Sequence, residues 1–366
     1  MVIIWHLPWA SLPFHWRPAT WAGVDLFFVL SGYLIGTQLL RPYAQGGRPS
    51  YLDFFLRRSF RVLPAYLAVL AVYFTVPQFR EEPGISPLWK FLTFTQNFGL
   101  DASVVGSFSH AWSLCVEEHF YLILPLLVFW FMRKPSFKKA CSLIVVIVAG
   151  GLILRGCLWI HYIKPLWDQR GPRLGYLYVK TIYYPTYTRL DSLLVGVVLA
   201  AVRLFRPAWW KSLTCRGNLS LILAIPLLVF TFWICQDMQT FSTAVFGFPL
   251  LALGFGLLVL SCLSPGSFLA NHRFPGASIG ATLSYSTYLT HKEVMHLDRL
   301  YFGSYVQMDG PAGLAIYAVT FLGAACVLYF GVERPFLKLR DRILTRADTR
   351  AVHPLRPAEV VLERGD

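Results

Sequence analysis

Apolar runs recur along the whole chain, at about 24 to 40, 62 to 79, 113 to 132, 140 to 160, 189 to 205, 219 to 235, 244 to 263, 278 to 297 and 311 to 332, each long enough to cross or nearly cross the hydrocarbon core of a bilayer. Most of them stop at clusters of arginine and lysine. Strands of an outer-membrane barrel would instead alternate apolar and polar residues in segments of about ten. Composition closes the argument: of 366 residues, 56% are hydrophobic and only 14% charged, against about 25% charged in soluble domains. So little polar surface cannot cover a water-facing globule of this size. The expected fold class is all-α, a polytopic integral membrane helical bundle of about ten transmembrane helices. The opening Met1-Val-Ile-Ile-Trp-His6 reads as the end of the first of these, with its upstream half missing.

The net charge of +14 would raise nucleic-acid binding in a soluble protein, but here the basic residues sit between apolar runs and act as topology signals. Arg41, Arg48, Arg57, Arg58 and Arg61, then Arg133 to Lys139, then Arg203 to Arg216, then Arg273, then Arg334 to Arg350 fall on alternate loops, and all can be cytoplasmic at once. This predicts a multi-pass protein of the plasma (inner) membrane with a cytoplasmic C-terminus, its partners the lipid bilayer and small molecules, with no nucleic acid. The loop at 161 to 188 is the exception. Its Lys164, Arg170, Arg173 and Lys180 lie on the predicted outer side, either as solvated charges or as contacts to an anionic or glycan substrate. The seven cysteines, 115, 141, 157, 215, 235, 262 and 326, lack ligand spacing, so neither a metal site nor a disulfide framework is expected. One membrane domain, 1 to 346, fills the chain, and 347 to 366 reads as a disordered cytoplasmic tail.

Ionisable groups inside apolar spans are costly unless paired or functional. Those that qualify are His6, Asp25, Glu117 and Glu118, Arg189 and Asp191, His291, Glu293 and His296, and Glu333 and Arg334. Taken as a helix, 112 to 121 places Ser113, Glu117 and Tyr121 on one face, four apart, and turns Glu118 elsewhere. That face is either a polar stripe within the bundle or a helix entry whose carboxylates stay at the headgroups. Arg58 and Arg61, three apart, offer guanidinium forks suited to phosphate, for example on coenzyme A; the competing reading is a stop signal on anionic lipid. A histidine such as His6 is a residue type able to take a proton from a hydroxyl and return it, or else a satisfied interfacial residue. Gly23, Gly32 and Gly36 with Ser31 give the second run a small-residue face that predicts close helix packing.

Six segments then occur in the order seen in the acyltransferase 3 family of membrane O-acyltransferases, which the chain resembles over essentially its whole length. They are Gly23-Val-Asp-Leu-Phe-Phe-Val-Leu-Ser-Gly-Tyr-Leu-Ile35, Arg57-Arg-x-x-Arg-x-Leu-Pro64, Trp112-Ser-Leu-x-Val-Glu-Glu-x-Phe-Tyr121, Arg189-Leu-Asp191 followed by Gly196, Leu283-Ser-Tyr-x-x-Tyr-Leu-x-His291 and Glu333-Arg-Pro-Phe336. The resemblance implies a bundle of about ten helices that moves an acyl group, usually acetyl, from acyl-CoA to a hydroxyl of a carbohydrate or glycosylated acceptor, with acetyl-CoA as donor and no bound cofactor. Carried over by motif, His6 and Glu117 are the catalytic residues and Arg58 and Arg61 the donor contacts. Asp25, Ser113, Tyr121, Arg189 and Asp191 are expected at the substrate. The family pattern also carries an arginine about three turns upstream of that histidine, and the chain begins at Met1, too late to include it.

In the mechanism this implies, His6 deprotonates the acceptor and Glu117 orients the imidazole, as a carboxylate does in hydrolase triads; an acyl-histidine is the alternative route. The rival function is a secondary transporter exporting a glycan or small metabolite, using His and Glu as a proton relay. It calls for inverted repeats, which the sequence does not display. No esterase-like segment follows the last run, so a stand-alone transferase is expected.

Overall fold

The computed structural model of the chain describes residues 1–7, 17–169 and 171–352. Among them the secondary structure is helical, with one isolated parallel bridge between Ile85 and Ser107. A short α1 (Val2–His6) precedes α2 (Gly23–Ala44) and α3 (Tyr51–Thr75). Ser50 caps α3 by accepting from the Asp53 amide at 3.2 Å, satisfying one of the donors that a helix start leaves open. A loop carrying α4 (Leu88–Leu92) leads to α5 (Trp112–Met132) and α6 (Phe137–Leu158). After α7 (Pro172–Tyr178), α8 (Leu190–Phe205) breaks by 113° into α9 (Pro207–Thr214). The chain continues through α10 (Gly217–Ile234), α11 (Phe248–Cys262) and the single turn α12 (Phe268–Asn271). It then runs through α13 (Ala277–Phe302), α14 (Pro311–Leu328) and α15 (Arg334–Val352).

All nine apolar runs lie on helices. By length and apolarity six helical stretches among the described residues can cross a membrane, or seven if the bent α8–α9 pair is one span. The difference from about ten has a physical source. At 25 and 26 residues α3 and α13 are long enough, but Arg57, Arg58 and Arg61 on one, and Lys292 and Glu293 among hydroxyls on the other, lower their apolarity. Five-residue α1 is too short. The surface is inverted relative to a soluble protein, with Leu126 and Trp130 each 66% exposed and Val327 75% exposed, while Glu117, Arg155, Arg189, His291 and Glu293 are buried. That is the distribution a lipid solvent selects.

The central contact is α2 against α8, and it is built on glycine. A Cβ on Gly32 would lie 2.1 Å from the Leu193 carbonyl oxygen, and one on Gly196 would lie 2.2 Å from that of Val29. Gly36 faces Ala200 in the same way, with 3.1 Å left for a Cβ. Missing side chains let two backbones touch, as the small-residue face predicted. Gly23 makes the same close approach to α1, where its Cβ would meet that of Met1 at 2.7 Å.

Among the described residues four π-helical turns interrupt the bundle, at Trp159–Ile163, Val179–Tyr183, Thr243–Gly247 and Tyr329–Glu333. Such turns re-aim side chains and recur at functional sites. In the loop at 161 to 188, Lys180 pairs with Asp101 at 3.0 Å, and the Ser103 hydroxyl together with this ammonium holds the Asp101 carboxyl below its usual range. Arg170 lies outside the described residues. Of the predicted tail, 347 to 352 continues α15, and 353 to 366 lies outside them.

Candidate active site

Ile3 and Leu7 of the α1 end pack on the same core of Met308, Tyr317 and Phe321 as Val294 and Met295 of α13 and Ile316 of α14. This docking sets the His6 ring 5.1 Å from that of His291, and His291 in turn lies 5.0 Å from His110, just ahead of α5. His6 and His110, with Ser109 and Tyr288, border a cavity of about 100 Å3 walled by Trp5, Trp21, Trp112, Tyr183 and Tyr184, and His291 lies beside their two rings. His291 Nδ1 meets the Tyr288 carbonyl at 2.8 Å. A carbonyl only accepts, so Nδ1 carries the proton and Nε2 the lone pair. His110 Nε2 faces the Leu289 carbonyl at 3.4 Å, which leaves its lone pair on Nδ1. Both of these bare nitrogens are buried without a hydrogen-bond partner among the described residues, and each is positioned to accept a proton or a hydroxyl.

From this cavity a polar stripe runs down α5. Ser113 Oγ lies 2.6 Å from the Tyr288 hydroxyl, which donates to the His110 carbonyl. One turn on, Glu117 accepts from Tyr121 at 2.9 Å, and Tyr121 lies 2.6 Å from Ser31 of α2. Arg58 stands over the Tyr121 ring at 5.2 Å. Arg61 is ion-paired with Glu333, whose second oxygen accepts from Ser286 at 2.8 Å. Arg57, Arg58, Arg61, Gln38 and Arg340 line a second cavity of about 480 Å3. Two helices measure the separation of the sites: eight residues from Tyr121 to Ser113 on α5 rise about 12 Å, and the step from Ser286 to His291 on α13 rises about 8 Å.

The structure therefore joins Ser113, Glu117, Tyr121 and Arg58 in one line, but gives Glu117 to Tyr121 and places His291 beside His6. Asp25 accepts from Arg189 at 2.9 Å and from Ser192 at 3.0 Å, welding α2 to α8. Arg189 lies face-on to Phe248 at 4.0 Å, and its Nε and Nη1 have no hydrogen-bond partner among the described residues. Asp191 is held by both arms of Arg155, at 2.6 and 3.2 Å. Sequence reasoning missed Arg155, although a charge amid the apolar run of α6 was a signal for it, and missed His110. It also missed a bracing network in which Lys292 bonds Ser109 at 3.2 Å and pairs with Glu81 at 3.0 Å. The Tyr73 hydroxyl lies between the two acids, 2.8 Å from Glu81 and 3.0 Å from Glu293. Among the described residues no group of three or more His, Cys, Asp or Glu is arranged to hold a metal ion.

Comparison with known proteins agrees with this architecture. The family profile described as an acyltransferase domain, Acyl_transf_3, matches residues 1–330. O-acetyltransferase OatA of Staphylococcus aureus is 26% identical over 368 residues, covering 92% of this chain and 55% of that protein. The Bacillus subtilis protein named "Putative peptidoglycan O-acetyltransferase YrhL" is 29% identical over 321 residues, covering 81% of this chain and 46% of its own length. The chain thus spans about half the length of the curated relatives it matches. No solved structure matches it.

Proposed function

The chain belongs to the acyltransferase 3 family, and on that premise we propose that it is a membrane O-acetyltransferase that moves an acetyl group from acetyl-CoA to a hydroxyl of a carbohydrate or glycosylated acceptor. The observation that carries this reading is the pairing of two sites along one polar stripe. An arginine-lined cavity at the end of the bundle where basic loops gather suits the donor's phosphates. A histidine-bordered, aromatic-walled cavity about 8 to 12 Å further along the helices suits the reacting hydroxyl. OatA and the Bacillus subtilis relative, named for O-acetyl transfer and for peptidoglycan, support the carbohydrate class of acceptor.

In this mechanism the donor enters from the cytoplasm with its pyrophosphate on Arg58 and Arg61 and its thioester along the stripe. His6 takes the proton of the acceptor hydroxyl as the oxygen attacks the thioester carbon. The C–S bond breaks, and the proton passes to the departing thiolate. Burial of His291 with its Nε2 lone pair near the His6 ring offers the imidazolium an acceptor, which makes His291 a positioning residue. Glu117, fixed by Tyr121, stands between the arginines and the histidines. The multi-pass chain resides in the inner membrane with its C-terminus in the cytoplasm.

The test is transfer of label from acetyl-CoA into alkali-labile ester by membranes carrying the chain or its His6→Ala variant. Label that requires His6 supports the reading. Equal label in both removes His6 from the chemistry.

A further inference from the structure

We propose that Arg340 of α15 reads a terminal phosphomonoester on the donor nucleotide, so that the site separates coenzyme A from its form lacking the 3′-phosphate. This rests on the reading of Arg58 and Arg61 as the donor's phosphate contacts.

In the sequence Arg340 is one of a string of basic residues after the last apolar run, indistinguishable from topology signals. The structure separates them. α15 docks on α3, with Phe336 and Phe60 in ring contact at 6.5 Å, and this turns Arg340 into the cavity shared with Arg57, Arg58, Arg61 and Gln38. Arg334 instead stacks on Phe330.

Four guanidinium groups around one cavity of about 480 Å3 repel one another. Among the described residues only two carboxylates are paired with them, Glu333 with Arg61 and Asp341 with Arg340. Arg57 and Arg58 make no ion pair among the described residues, although Glu117 and Glu118 lie within electrostatic reach of Arg58, and the cluster suits an anion. A phosphomonoester brings about −1.5 to −2 at neutral pH, and a pyrophosphate adds to it.

The order of contacts follows from the order of groups in the donor. Arg58 stands over Tyr121, the first step of the stripe toward Glu117 and the histidines, and Arg61 is tied through Glu333 to Ser286. Arg340 comes from the helix beyond them. With the thioester pointed at the histidines, the pyrophosphate falls to Arg58 and Arg61, and the ribose phosphate, at the far end of the molecule, falls to Arg340. Asp341 already prepares that contact: one of its oxygens accepts from Arg340 Nε at 2.9 Å and from Nη2 at 2.7 Å. This pair leaves Nη1 to donate.

A lipid headgroup phosphate offers the same chemistry, and the experiment distinguishes the two sources. The full chain is placed in phosphatidylcholine nanodiscs and titrated calorimetrically with coenzyme A and with 3′-dephospho-coenzyme A, as wild type and as Arg340→Gln. We expect the wild type to bind coenzyme A about tenfold tighter than the dephospho form. Arg340→Gln should lose that factor for coenzyme A and leave the dephospho form within twofold, which also shows that the variant is folded. Equal weakening of both ligands, or of neither, overturns the assignment of Arg340. A wild type that binds neither nucleotide removes the donor reading, and the inference with it. Coenzyme A binding abolished by phosphatidylglycerol in the discs gives the cavity to a lipid headgroup and overturns the inference alone.

Discussion

Adding a single methyl group at Gly32 is expected to be among the most damaging small changes in this chain. A Cβ there would lie 2.1 Å from the Leu193 carbonyl oxygen and 2.9 Å from its carbonyl carbon. These are backbone atoms, so no side chain can swing away, and α2 and α8 must part by about 1 Å to restore ordinary contact. Asp25 and Arg189 sit on the same two elements, bonded at 2.9 Å, and a displacement of that size takes the bond out of hydrogen-bond range. Overpacking costs about 1 to 3 kcal/mol, and an unpaired buried charge adds to it. Gly32→Ala should therefore lose about 3 kcal/mol or more, or about 4 °C in thermal midpoint. The control is Gly323→Ala on α14, where a Cβ meets nothing within 4 Å and better helix propensity should leave the midpoint unchanged or slightly raised. Scanning fluorimetry of both variants in detergent decides the matter. Equal midpoints for the two would refute the claim that backbone contact at Gly32 fixes the α2–α8 spacing.

Arg155→Met should cost about 3 to 5 kcal/mol by stranding the buried Asp191, and Arg155→Met with Asp191→Leu should recover most of the loss; a double variant no more stable than the single would show that the stranded charge is not the cause. His291→Gln should lower the turnover of acetyl transfer by at least about a hundredfold while coenzyme A affinity, read by titration, stays within twofold. A parallel drop in affinity would place His291 in donor binding instead.

The order of the helices was legible because apolar runs of bilayer length have few alternative folds, and the glycine face of α2 announced its close contact with α8. The polar stripe Ser113–Glu117–Tyr121 was legible from spacing alone, since a helix fixes which residues share a face. What periodicity does not carry is the partner across the bundle. His6, His110 and His291 come from three segments far apart in the chain, and only the docking of α1 on α13 brings their rings together. Glu117 was paired with His6 by analogy with hydrolase triads, and in the structure one of its oxygens accepts from Tyr121 on its own helix. Arg340 was hidden for a different reason: in a run of basic residues, only helix packing tells which side chain turns inward.

α13 touches residues of both cavities: Tyr285 faces Arg61 at 5.8 Å and Ser286 bonds Glu333, while Tyr288 lines the histidine cavity and His291 lies beside the His6 ring. A continuous helix transmits axial displacement along its length, so anything that draws Arg61 toward a phosphate pulls on the rod that also carries the histidine. If a ligand at one cavity moves this helix, the occupancies of the two cavities become thermodynamically linked. On the proposed donor and acceptor reading, whatever factor a ligand of one cavity imposes on the other, the second imposes on the first, and the two would act as ligands of one lever.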